Sequence, residues 1–150
     1  MAKITRDPIL GQTVALDPGE KVLARFAPDA ATYWRSHGVM AVVAGALAGL
    51  ALHFGGNPYP WTGPFAAVLA IGVRAFYLRS EALAEVWQLT NRRLIGPGGR
   101  VAPLSSLKIA RPFLGAVQLV MASGDKHLIK YQASAAATVA AIDKARGAGR

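Results

Sequence analysis

From Ser36 to Val73 the chain runs thirty-eight residues without an Asp, Glu, Lys or Arg, and Gly55–Pro60 (GGNPYP) divides that run. A stretch so long and uncharged must be covered by other protein or by lipid on every side. The first half, Ser36 to Phe54, is nineteen residues. At about 1.5 Å per residue it reaches roughly 28 Å, close to a bilayer's hydrocarbon thickness. The second, Trp61 to Arg79, has the same length. Pro and Gly between them suit a tight reversal. The reading is a transmembrane helical hairpin with a very short loop.

Arg74 interrupts the second span five residues before Arg79. A central Arg costs about 2.5–3.5 kcal/mol to insert, but from this depth the side chain can snorkel to the headgroups. Arg35, Arg74 and Arg79 flank the hairpin and the loop has no charge. The positive-inside rule then puts both ends in the cytoplasm. Tyr33, Trp34, Phe76 and Tyr77 mark the inner interface, Tyr59 and Trp61 the outer one. The location expected is a cell inner membrane, crossed twice. A cleaved signal peptide is disfavoured by the mixed-charge segment that precedes the first span. A soluble fold would have to wrap two helices apolar all round with the remaining residues, which is too little material.

Within the first span Ala41, Gly45 and Gly49 recur every fourth residue on one face. Small residues let backbones approach closely in lipid, so this face is read as the packing seam of the hairpin, with a homo-oligomer as its second use. Ala66, Ala70 and Gly72 are the matching small surface expected on the second span.

The charge is unevenly placed. Residues 1–35 hold five Lys/Arg against four Asp/Glu, residues 74–150 twelve against four. That excess suits the anionic inner leaflet, and the bilayer explains it more simply than nucleic acid does. The chain has no cysteine. Disulfides, thiolate metal sites and Cys nucleophiles are therefore excluded. His37 and His53 would stand about 24 Å apart on one helix, and His127 is alone in the C-terminal part. No metal or cofactor is expected.

Residues 1–19 lack periodicity and are read as loosely ordered. Glu20–Phe26 fits one strand, ended by Pro28. After Arg79 short β segments follow: Ala84–Thr90, Arg93–Ile95, a reversal at Gly96–Gly99, then Arg100–Leu104. That reversal lacks the Lys-Ser/Thr of a phosphate-binding loop. Leu107–Ala110 is a weak segment bounded by Pro112. Leu114–Ala122 is the best strand and forms a hairpin with His127–Gln132 across Ser123–Lys126. Ser134 caps a final helix whose Val139 and Ile142 plug the sheet, with Lys144 and Arg146 at its C-terminal end and Gly147 as the stop. About seventy residues make a small core. Packing against the Glu20–Phe26 strand or the membrane surface would complete it. The fold class expected is thus membrane α + β, a two-helix hairpin followed by a small antiparallel domain closed by a helix. Residues 1–35, 36–79 and 80–150 are its three parts.

Two segments carry a family resemblance: Leu16-Asp17-Pro18-Gly19-Glu20 before the hairpin, and Val86-Trp87-Gln88-Leu89-Thr90-Asn91-Arg92-Arg93-Leu94-Ile95 after it. Gly98–Gly99 and Pro103-Leu104-Ser105-Ser106-Leu107 continue the pattern. The arrangement resembles the bacterial pleckstrin-homology-like membrane proteins. That resemblance implies a partly closed antiparallel barrel with a C-terminal helix and no catalytic residues. Leu89-Thr90-Asn91 would end a strand in a side-chain-bonded turn, with Arg92 and Arg93 at the sheet rim.

No acid–base pair stands out. Glu81 and Glu85 are read as solvated charge, Ser105 and Ser106 as turn residues. Arg92, Arg93, Lys108 and Arg111 are the candidate lipid-contact residues, with Lys126 and Lys130 beside them. The expected function is non-enzymatic, a membrane-anchored module presenting a basic domain to a protein partner or to anionic lipid. The alternative is an accessory subunit of a larger membrane complex, assembled through Ala41, Gly45 and Gly49.

Overall fold

A computed structural model describes Thr5, Arg6 and residues 13–149. The chain forms two compact units: Ala30–Ser80, and Met1–Asp29 together with Glu81–Arg150.

The first unit is a helical hairpin. Helix α1 spans Ala30–Phe54 and α2 spans Thr62–Leu83, its last residues reaching beyond this unit. The reversal is fixed locally: Gly55 N–H and Asn57 N–H bond the carbonyls of Ala51 and Leu52, and Asn57 Oδ1 accepts from Tyr59 N–H. Pro64 lies in the first turn of α2, where a missing N–H costs nothing. Among the described residues, α1 alone is long and apolar enough to cross a membrane. Helix α2 is long enough but less apolar, because Thr62–Pro64 and then Arg74 and Arg79 dilute it.

The second unit holds all the strands found among the described residues. β1 (Thr5–Arg6) and β2 (Thr13–Val14) make a short antiparallel pair, so the segment read as loosely ordered carries a register of its own. The rest of that reading, over residues 1–4 and 7–12, lies outside the described residues.

β3 (Val22–Phe26), β4 (Trp87–Thr90), β5 (Arg93–Ile95) and β6 (Val101–Pro103) form one sheet in that order. β7 (Leu107–Phe113), β8 (Ala116–Met121) and β9 (Lys126–Ile129) form another. Phe26 pairs with Trp87 and Arg25 with Gln88, so the strand before the helices and the first strand after them are neighbours. The strand read at Glu20–Phe26 thus completes the sheet.

β4 lies inside its sheet and is buried on both faces. β8 alternates, with Val117, Leu119 and Met121 inward. Both sheets feed one core, and α3 (Ala135–Ala148) closes it with Ile142 and Ala145. Ser134 caps α3 by accepting from Ala137 N–H, while the helix runs past the expected stop at Gly147 to Ala148. Gly96 lies against the Trp87 ring; a Cβ there would come within 2.7 Å of it.

Pro112 does not end β7, which runs on to Phe113. β7 is an edge strand with β8 as its one neighbour. A proline there removes no ladder bond if its nitrogen faces away from the partner. The fold is α + β: a helical hairpin, then small antiparallel sheets packed on a C-terminal helix.

Candidate functional site

Three sets of residues bear on function, and each is built from local chemistry. The first is the seam of the helical hairpin. Gly45 is buried, and a Cβ on it would lie 3.3 Å from Pro64 Cα. At Gly49 a Cβ would lie 3.2 Å from Pro64 Cγ, and at Gly63 2.8 Å from the Ala48 carbonyl carbon. Glycine on both helices is what permits this approach. Ala41, one turn before Gly45, is half-buried. Gly45 and Gly49 on α1 therefore lie against Pro64 of α2.

On α2 the seam is Gly63, Ala67, Ile71 and Ala75, not Ala66, Ala70 and Gly72, which are exposed. Those three lie one position off the four-residue series that begins at Gly63. The seam closes near its other end with Tyr33, whose hydroxyl donates to Ala75 O at 2.7 Å and whose ring sits 4.2 Å from that of His37. The outward faces are apolar: Val42 is 72% exposed, Leu47 65% and Val73 67%.

The second set is a buried carboxylate. Asp17-Pro18-Gly19-Glu20 turns with Glu20 N–H bonding Asp17 O, and Gly19 at φ 79° supplies the left-handed residue such a turn requires. The turn aims the Glu20 side chain inward. Its Oε1 accepts from Thr90 Oγ1 at 2.6 Å and Arg93 Nε at 2.9 Å; its Oε2 accepts from an Arg93 terminal nitrogen at 3.0 Å and Asp17 N–H at 2.8 Å.

Burial pushes the Glu20 pKa up, but these bonds outweigh it and hold the carboxyl below its ordinary 4.5. The bond to Glu20 raises Arg93 further above its already high value. Thr90 Oγ1 also accepts from the N–H groups of Arg92 and Arg93, and Asn91 Oδ1 accepts from Lys21 N–H. This is the side-chain-bonded turn expected at Leu89-Thr90-Asn91. Arg93 is thereby spent inside the unit, with Ala15 O as a further acceptor and Asp17 3.6 Å away.

The third set is the basic surface. A groove of about 500 Å³ opens between the Asn91–Arg92 turn, Ser105, and the last turn of α3, floored by Leu104 and Leu107. Arg92 is exposed on its rim, and its guanidinium bonds no described residue. Arg146 crosses to β7, where one terminal nitrogen donates to Leu107 O and Lys108 O. Its position near the helix end suggested a dipole partner; the long-range bond it makes was not visible in spacing. Lys108 and Arg111 are exposed on β7, three residues or about 10 Å apart along the strand. Arg111 chelates Gln118 Oε1 across the strand pair at 2.9 and 2.7 Å. Lys130 meets Glu85 at 3.6 Å. The four cations named from sequence thus do not form one cluster: Arg92 edges the groove, Arg93 is inside, and Lys108 and Arg111 follow the edge strand. Among the described residues, no group of three or more His, Asp or Glu could hold a metal ion.

Comparison with protein-family models, curated proteins and solved structures gives no match.

Proposed function

We propose that the chain is an integral membrane protein, a two-helix anchor carrying a non-enzymatic β-unit of the pleckstrin-homology-like kind that works against the cytoplasmic lipid surface. One observation carries this reading. Both helices turn apolar side chains outward, and only 11% of the most apolar window of α1 is buried. A core helix of a soluble protein would be covered by its own chain. An exposed belt of Val, Leu and Phe on both helices instead matches a hydrocarbon solvent. Arg74 and Arg79 near the end of α2 then mark the inner leaflet.

The family assignment is supported by two features. The segments Leu16–Glu20 and Val86–Ile95, which suggest the family, meet through Glu20, Thr90 and Arg93. Antiparallel sheets packed on a C-terminal helix agree with the resemblance at that coarse level.

The lipid-facing role falls to Arg111, near the Phe113 end of β7; Arg93 is engaged by Glu20, and Arg92 and Lys108 lie toward the other end of that strand. The alternative, an accessory subunit assembled through Ala41, Gly45 and Gly49, is less well supported because Gly45 and Gly49 already pack on Pro64. The test is hydrogen exchange on the whole protein in anionic and in neutral nanodiscs. Contact with anionic lipid protects the Arg111–Gly115 end of the β7–β8 hairpin in the first only, and salt removes that protection. Equal exchange in both would leave a protein partner as the better account.

A further inference from the structure

The β7–β8 hairpin ends in an unusual tip. Phe113 pairs with Ala116, leaving Leu114 and Gly115 as a two-residue loop with φ of 47° and 79°. Both central residues are left-handed, as in a type I′ turn, which favours Asn-Gly. Leucine is poorly suited to that backbone, since its Cβ crowds the following carbonyl. Its side chain gains nothing in return from the fold: Leu114 is 90% exposed, and Phe113 beside it is also exposed. A strained, apolar residue held in open solvent has its use outside the folded unit.

The location of the tip identifies that use. Gly115 O accepts from Gln132 N–H at 2.9 Å, and the adjoining Tyr131 O accepts from Asp29 N–H at 2.6 Å. Asp29 is the last residue of this unit before α1 starts at Ala30. Lys130, next to Tyr131, holds Glu85, four residues after the chain re-enters the unit at Glu81. The tip therefore lies at the end of the β-unit where the chain leaves for the hairpin and comes back. From Ala30 to Ser36, where the uncharged run begins, is six residues, about 9 Å of helix. The interfacial layer of the bilayer is of that order.

We infer that Phe113 and Leu114 form a wedge that enters the headgroup–acyl boundary of the same bilayer that the helices cross. Aromatic and aliphatic side chains partition there, and Arg111, two residues before Phe113, adds attraction to lipid phosphates. The wedge fixes the β-unit against the lipid at a third point, besides its two covalent connections.

This rests on the membrane reading above, and one experiment separates the two. The chain has no cysteine, so single substitutions take one environment-sensitive dye each. The whole protein is placed in nanodiscs as Leu114→Cys, as Ala122→Cys and as Val43→Cys, with lipids brominated either near the headgroup or deep in the chain. Ala122 is exposed at the opposite end of β8 and Val43 on the outward face of α1. The dye at position 114 is expected to shift to the blue and lose emission to the shallow bromines, while that at 122 does neither and that at 43 is quenched by the deep ones. Quenching at 43 with none at 114 overturns the wedge alone. No quenching at 43 overturns the membrane reading and the wedge with it. A dye at 114 shielded from aqueous iodide but untouched by bromolipid assigns the tip to a protein contact and also overturns the wedge.

Discussion

The Glu20 carboxylate and the Arg93 guanidinium, seventy-three residues apart, meet side by side through bonds of 2.9 and 3.0 Å. The helical hairpin lies between them in the chain, so this pair and the β3–β4 ladder join the two sequence segments of the β-unit. The Glu20 side chain has no exposed surface, and Arg93 retains a fifth of its own.

Removing Arg93 strands a buried anion, the costly way to break such a pair. Arg93→Ala is expected to destabilise the β-unit by about 3–5 kcal/mol. Replacing both members together (Glu20→Gln with Arg93→Met) should cost clearly less than that. Denaturant unfolding followed by the fluorescence of buried Trp87 measures both. Equal losses in the two variants would mean that the pair is not coupled.

Acid should weaken the same joint. The folded pKa of Glu20 lies below its ordinary 4.5, so the pair's contribution is complete above that value. It is lost as pH falls from there through the folded pKa, when the folded state must take up a proton it resists. Arg93 stays charged throughout. Melting temperature measured from pH 7 down to pH 3 should drop below pH 4.5 more steeply for the native chain than for Glu20→Gln.

The hairpin seam predicts a contrast between glycines. Gly63→Leu places a side chain into the Ala48 backbone, whereas nothing lies within 4 Å of a Cβ at Gly72. The first substitution should separate the helices and the second should leave them packed. Disulfide trapping between Ala41→Cys on α1 and Ile71→Cys on α2 reports the difference in mild detergent.

Leu114→Asn relieves the turn. Left-handed backbone costs a typical side chain about 1–2 kcal/mol and Asn less, so detergent-solubilised protein should gain up to about 1 kcal/mol. Thermal unfolding shows it; a loss of stability would mean that Leu114 packs on the fold after all.

Much of this was legible in the chain, for stated reasons. The uncharged run and its Pro-Gly divider gave the hairpin, and Gly45 and Gly49 gave its seam, because small residues at four-residue spacing have few other uses. Composition points to Ala66 and Ala70 as the partner face, but phase decides it: counting in fours from Gly63 reaches Ala67, Ile71 and Ala75. Pro112 marks a boundary in the sequence because a proline forbids a central strand, and only pairing reveals that β7 is an edge. Arg93 looked like a surface cation because its partner lies seventy-three residues away. Leu114 read as the start of a strand, since a left-handed Leu has no sequence signature.

Crossing of a membrane by α1 and α2, with the β-unit on the cytoplasmic side, is open to a direct test. Single cysteines at Asn57→Cys, in the connecting loop, and Ala122→Cys, in the β-unit, can be offered a membrane-impermeant maleimide on intact spheroplasts and again after lysis. Position 57 is expected to react on intact cells and position 122 only once they are broken. Reaction at position 122 on intact cells, or at 57 only after lysis, would contradict it.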